Sequence, residues 1–189
     1  MKRWMMIGLL ISLSSASIYA QESDKLHLSG SLQSDMLLAQ KDSTTGAEAT
    51  GSRFRTNTYL DLRLSNRYFE AGARLEYMPH PLPGYEHDFK GWGVPYAYLK
   101  GRYKNAELTL GSFYEQFGSG FILRSYEERS LGIDNSLQGA RLNYLPCTGV
   151  AVKLLTGRQR RYWHHNKSWM TGADVEWNME ESFKSLQEH

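Results

Sequence analysis

Eight stretches of this chain alternate apolar and polar residues one by one, and the connections between them alternate between short and long. No other feature restricts the fold as tightly, because a period of two places one kind of side chain on each face of a β-strand. In "RYFEAGARLEYM", Phe69, Ala71, Ala73, Leu75 and Tyr77 fall on one face, and Glu70, Gly72, Arg74 and Glu76 on the other. In "RTNTYLDLRLS", Leu60, Leu62 and Leu64 oppose Tyr59, Asp61 and Arg63. The same reading fits "KLHLSGSLQSDML", "VPYAYLKGRYK", "AELTLGSFYEQF", "LQGARLNYL", "GVAVKLLTG" and "WMTGADVEWNM". The turns "SNR", "KNA" and "PCT" have hairpin length, whereas the connections between them are long.

Short turns on one side and long loops on the other are the pattern of a transmembrane β-barrel. Alternation alone fits a soluble lipocalin-like barrel equally well, with its apolar face inward. The aromatic residues favour the membrane reading. With the N-terminus in the periplasm, Phe69, Tyr103, Tyr144 and Trp177 lie at the level of the short turns, and Tyr77, Tyr114 and Trp169 near the long loops. All share the apolar face, giving two aromatic girdles.

The opposite face collects Asp61, Arg63, Glu70, Arg74, Glu76, Lys100, Arg102, Glu107, Arg141, Lys153, Asp174 and Glu176. So many charges would be costly in an apolar ligand pocket, and suit a wet lumen or an ion-pair network. The plainer alternative is a half-exposed sheet whose charges point into water. The fold expected is all-β: an antiparallel transmembrane β-barrel of about eight strands, or the first eight strands of a larger barrel.

The start, "MKRWMMIGLLISLSSASIYAQ", has two basic residues, an apolar run and small residues ending at Ala20. Residues 1–20 therefore read as a cleaved secretory signal peptide, and 21–189 as the barrel domain, either closed as it stands or incomplete at its C-terminus. Removing Lys2 and Arg3 from the 22 basic residues leaves 20 against 20 acidic ones, so the exported part is neutral and carries no footprint for nucleic acid. Cys147 is the only cysteine, which excludes an intrachain disulfide. The expected location is the outer membrane of a Gram-negative bacterium. The expected partners are outer-membrane lipids, lipopolysaccharide and the barrel-assembly machinery.

The third long connection begins as a strand and becomes charged: "GSFYEQFGSGFILRSYEERSLGID". A phosphate cradle would lead from glycines straight into a helix, and here Gly118 and Gly120 lead into "FILRS". Glu127 and Glu128, adjacent in an extended segment, point to opposite faces and make a poor acid-base pair. Phe121, Ile122, Leu123, Tyr126 and Leu131 predict a loop that packs on the barrel mouth or folds inside it. Arg124, Glu127 and Arg129 then join Arg63, Arg74, Arg102 and Arg141 as candidates for a charged lumen or constriction, together with Glu128 and Asp134. A rim-packed loop with solvated charges is the alternative.

The run "GRQRRYWHHNK" reads as a basic, aromatic patch at the outer rim. Arg158, Arg160, Arg161 and Lys167 are the candidate contacts to lipopolysaccharide phosphates, with Tyr162 and Trp163 at headgroup level; an ordinary solvated loop is the other reading. His80, His87, Asp88, His164 and His165 lack a metal-ligand spacing, and no nucleophile-base grouping is recognisable. No catalytic residue, metal or cofactor is expected, and a rim-located lipid- or peptide-modifying enzyme ranks third among the functions.

The run "GSFYEQFGSGFILRSYEERSLGIDNSLQGARL" resembles a segment of a family of uncharacterised Gram-negative outer-membrane β-barrel proteins, known only as a domain of unknown function. The resemblance extends over most of the exported chain. It implies an outer-membrane barrel without an established activity, so no functional residue is carried over. Members of that family are considerably longer. The end "MEESFKSLQEH" is polar, with Phe183 short of the terminus, where outer-membrane barrels commonly finish on an aromatic. The chain is therefore expected to be the N-terminal part of a larger barrel, with closure at eight strands as the alternative. A larger barrel implies porin-like passage of small solutes, and closure at eight a non-conducting anchor or adhesin.

Overall fold

The computed structural model describes residues 25–40, 44 and 52–182. The expected signal peptide at 1–20, most of the first long loop and Phe183 lie outside the described residues.

Eight long strands account for the alternating segments: β1 (His27–Leu38), β2 (Phe54–Ser65), β3 (Phe69–His80), β4 (Gly91–Tyr103), β5 (Ala106–Phe113), β8 (Leu137–Cys147), β9 (Val150–Arg161) and β11 (Met170–Trp177). Three two-residue strands lie in the long connections: β6 (Glu127–Glu128), β7 (Ile133–Asp134) and β10 (His164–His165). Six of the long strands have 11 to 13 residues, at or above the top of the roughly 9 to 11 that a tilted strand needs to cross a bilayer. The short turns have local causes. At the β2–β3 turn, Asn66 Oδ1 accepts hydrogen bonds from the backbone of Tyr68 and Phe69 at 2.8 and 2.9 Å.

The strands form an antiparallel sheet in the order β1-β2-β3-β4-β5-β8-β9, with β11 beside β9 and β10 on the end of β9. Among the described residues, neither β1 nor β11 has a second neighbour, so the sheet is open. Its curvature follows from one cross-link. β3 and β9 are four strand positions apart, roughly 19 Å in a flat sheet at about 4.8 Å per strand. Glu76 on β3 nevertheless reaches Arg160 on β9 at 2.7 Å, so the sheet curls into a trough.

Faces follow the alternation. One row of partners, Leu64, Ala71, Leu99, Leu110, Ala140, Thr156 and Thr171, runs from β2 to β11 on the convex side. Apolar residues there are exposed: Leu62 at 48 %, Leu99 at 51 %, Leu110 at 46 % and Val175 at 64 %. The buried residues, Tyr59, Glu76, Thr109, Ser112, Leu137 and Arg160, belong to the concave side. Charges face inward and hydrocarbon faces outward, the reverse of a water-soluble sandwich.

Three expectations need correction. Tyr114 is turned away from the girdle and stacks on Tyr96 at 5.3 Å. The reason is that β5 ends at Phe113, which still pairs in register with Leu137, and Tyr114 lies past the strand end, where the chain turns into the third connection. The "GRQRR" segment is no loop: β9 continues through it to Arg161. Finally, Phe121 and Ile122 are 97 % and 87 % exposed, so the tip of the third connection does not bury them.

Candidate functional site on the concave face

The concave face of the sheet carries a chain of ion pairs. Glu70 accepts from Tyr98 at 2.6 Å and from Arg102 at 3.2 Å, and Arg102 reaches Glu107 at 3.2 Å. Arg141 joins Glu107 at 3.3 Å to Glu115 at 3.1 Å, and Lys153 links Glu115 at 3.6 Å to Glu176 at 3.1 Å. Alternating signs leave each cation with an acidic neighbour, so the desolvation of one charge is offset by the next.

The third long connection lies on this face. From Tyr114 to Ser125 it forms a narrow hairpin: Gln116 and Arg124 make a bridge, Phe117 N–H donates to Leu123 O at 3.0 Å, and Ser125 N–H to Glu115 O at 2.8 Å. Phe117 packs with Phe113, Leu137 and Leu155 in a small apolar cluster that Leu123 and Met170 extend. The Phe117 ring also covers Gly172 of β11, occupying the space a Cβ would need. This hairpin thus fills part of the trough beside β8, β9 and β11.

From Tyr126 to Asn135 the chain crosses to the other wall. β6 and β7 pair antiparallel around a tight turn at Arg129–Leu131, closed by Gly132 in the left-handed region at φ 65°. Glu127 Oε1 accepts from Arg74 Nη1 at 2.7 Å and Arg129 Nε at 2.8 Å. Arg74 also holds Asp61 at 2.6 Å. The Arg129 guanidinium lies 4.2 Å over the Tyr59 ring and donates to Gln33 on β1 at 2.6 Å. On the opposite side, Asp134 receives Arg160 at 2.5 Å.

Above this crossing, the second long loop and the β9–β10 turn form a lid of aromatics. Tyr59, Met78 and Phe89 are buried, with Tyr85 and Tyr162 against them. Tyr85 donates to Arg129 O at 2.6 Å and shares a hydrogen bond with Tyr59 at 2.8 Å. Burial pushes the Tyr85 hydroxyl pKa above its ordinary 10.0, although its hydrogen bond to Tyr59 works the other way. Tyr162 bonds Glu86 through its hydroxyl. Between Tyr59, Tyr85, Arg129 and Arg160 the space left would hold about one water molecule.

The residues singled out in the sequence divide as follows. Arg74, Arg102 and Arg141 lie in the wall network, and Glu127, Arg129 and Asp134 join it from the third connection. Arg63 is exposed, on the same alternation phase as Asp61. Arg124 is exposed and stacks at 4.9 Å on Tyr126, and Glu128 is exposed and caps Ser130. Phe69, Tyr77, Tyr103, Tyr144, Trp169 and Trp177 follow the convex phase. Of the four basic rim candidates, Arg161 and Lys167 are exposed and Arg158 stacks at 5.3 Å on Trp169. Arg160 is not available to a lipid: its side chain is 1 % exposed and bound to Glu76 and Asp134.

Sequence reasoning missed Trp92, 71 % exposed and directly opposite Tyr77 in the register. Spacing would have put it with Tyr96 and Tyr98, because a bulge in β4, between the residues paired with Arg74 and Glu76, reverses the alternation there. Glu115, which the alternation of "AELTLGSFYEQF" sets on the polar face with Glu107 and Thr109, was not singled out, although it holds both Arg141 and Lys153.

A curled antiparallel sheet with hydrocarbon outside and paired charges inside defines a protein of the β-barrel class, open among the described residues. A family model covers residues 1–189, and the chain belongs to that family, described as "Family of unknown function (DUF6029)". No curated protein and no solved structure matches it.

Proposed function

We propose that the protein belongs to the outer membrane of a Gram-negative bacterium and contributes to a porin-like passage for small solutes, within a barrel of more than eight strands. The third connection is the constriction. The observation that carries this reading is the peptide inside the trough. An eight-stranded barrel has an interior just wide enough for side chains, and here two crossing segments, Tyr114–Ser125 and Tyr126–Asn135, lie between the walls. Their backbone needs a wider enclosure. The exposed convex hydrocarbon and the long strands support a lipid setting. Exposed Arg161 and Lys167 serve the contact with lipopolysaccharide phosphates in this reading.

Because the wall charges alternate in sign, the passage discriminates weakly between anions and cations and takes small polar solutes of either charge. The aromatic lid favours the second reading, a non-conducting envelope anchor, to the extent that it closes the mouth. Planar-bilayer recordings of the full-length protein test the choice. Discrete conductance steps that change size when Arg74 or Arg129 is replaced by Ala support the passage. Stable insertion without conductance supports the anchor.

A further inference from the structure

The Tyr114–Ser125 hairpin crosses the concave face from strand to strand. The Tyr114 carbonyl oxygen accepts from Arg141 on β8 at 3.0 Å, the Glu115 carboxylate holds Lys153 on β9 at 3.6 Å, and the Phe117 ring covers Gly172 on β11. These contacts step from β8 to β9 to β11, and β11 has no second neighbour among the described residues. The hairpin does not end there. A bridge between Gln116 and Arg124 holds its arms together, Gly120 N–H donates to Phe117 O at 2.8 Å, and the tip carries Phe121 and Ile122, 97 % and 87 % exposed. Two large apolar side chains on a hydrogen-bonded turn, adjoining the buried Phe117 cluster, form a contact surface whose other half lies past the edge of β11.

The polar face of β11 makes a matching demand. Asp174 and Glu176 share Lys153, at 3.9 and 3.1 Å, and Glu115 draws on the same ammonium. Among the described residues no other cation reaches either of the two, Asp174 Oδ2 is buried without a hydrogen bond, and Glu176 is half-exposed. This edge is therefore short of positive charge, whereas along the rest of the wall the signs alternate.

We infer that the next strand of the barrel pairs antiparallel with β11, sets an apolar inward side chain under Phe121 and Ile122, and brings a lysine or arginine to Asp174 and Glu176. That strand presupposes the barrel of more than eight strands proposed above. β1 is ruled out for the part, whether from the same molecule or from a second copy. It runs in the direction required, since each long strand is antiparallel to the one before. At mid-strand, however, its inward phase is Ser29, Ser31, Gln33 and Asp35, opposite Arg63, Asp61, Tyr59 and Asn57 of β2. Short polar side chains would leave Phe121 uncovered, and a strand without lysine or arginine would bring Asp35 to an edge that already has carboxylates in excess.

Photocrosslinking of the full-length protein in outer-membrane vesicles tests this, with p-benzoylphenylalanine in place of Phe121 or of Ile122 and the adducts mapped by mass spectrometry. The same group in place of Leu99, on the convex side, is the control and should mark lipid. Both tip positions should mark one peptide outside residues 21–189. That peptide should alternate, with an apolar residue at the adduct and a lysine or arginine an even number of places away, on the same face. An adduct on β1 or elsewhere within residues 21–189, on lipid, or on a peptide without that pattern would overturn the inference. So would the absence of any adduct at both tip positions while Leu99 reacts. The expected adduct in a protein that inserts without conductance would uphold the contact and remove the passage; conductance without the adduct would remove the contact and leave the passage.

Discussion

Arg160 on β9 and Glu76 on β3 form a two-point ion pair, Nη1 to Oε1 at 3.1 Å and Nη2 to Oε2 at 2.7 Å. Both side chains are almost wholly buried, at 1 % and 2 % exposure. Between their strands lie β4, β5 and β8, so the pair bridges the trough from wall to wall. Replacing Arg160 with Met strands two carboxylates, Glu76 and Asp134, and should cost about 3 to 5 kcal/mol. Glu76→Gln keeps Asp134 on the guanidinium and should cost less. Denaturant unfolding in detergent micelles measures both, and equal losses would argue against a shared Arg160.

The two faces make opposite demands on a charge. Leu62→Arg and Leu110→Arg put a cation on the convex side and should cost about 2 to 4 kcal/mol in a lipid bilayer. Arg63→Gln, at an exposed position on the concave phase, should fall within about 0.5 kcal/mol of the parent. Arg141→Gln should cost more, since Arg141 holds Glu107, Glu115 and the backbone of Tyr114. Equal damage at Leu62 and Arg63 would refute the assignment of faces.

Gly111 has φ at 100°, and a Cβ there would sit 2.3 Å from the carbonyl oxygen of Ala97. The neighbour is backbone and cannot swing aside, so Gly111→Ala should cost about 1 to 3 kcal/mol. Gly101 is the control: a Cβ added there meets nothing within 4 Å. Gly101→Ala should leave the unfolding midpoint unchanged.

His165, in the β9–β10 hairpin, has its pKa held below the ordinary 6.5 by burial first, then by Arg158 and Arg160. A depressed pKa contributes stability above the ordinary value and loses it as pH falls through the folded one. The hairpin should therefore loosen in mild acid. An NMR titration of the imidazole should show a midpoint below 6.5, and His165→Gln should remove this part of the acid sensitivity. A midpoint at or above 6.5 would sink the idea.

Strands, faces and short turns were legible because each depends on neighbours in sequence: Leu60, Leu62 and Leu64 announce their shared side by spacing alone. What was not legible depends on single backbone departures. β5 ends at Phe113, one residue before Tyr114, and no spacing rule reveals at which residue a strand leaves the sheet. Arg160 was misread because its segment reads as a loop, whereas β9 continues through it and brings the guanidinium to Glu76 and Asp134. The network was legible in kind, as charges sharing a face, but not in its pairings. Those follow from curvature, which brings β3 to β9 and β1 to the turn at Arg129.

Every long strand pairs with its neighbour in chain order, β5 with β8 included once the third connection is passed over. A sheet of that kind can be laid down one hairpin at a time, at little cost in loop-closure entropy. The links that reach across it, from Glu127 to Arg74 and from Arg129 to Gln33, become possible only after three earlier strands are already in place. Assembly should thus proceed in two tempos, a quick sequential zippering and a later docking of the crossing segment. The Glu76–Arg160 pair that curls the sheet joins only once β9 has arrived, so the trough would close around the crossing segment last.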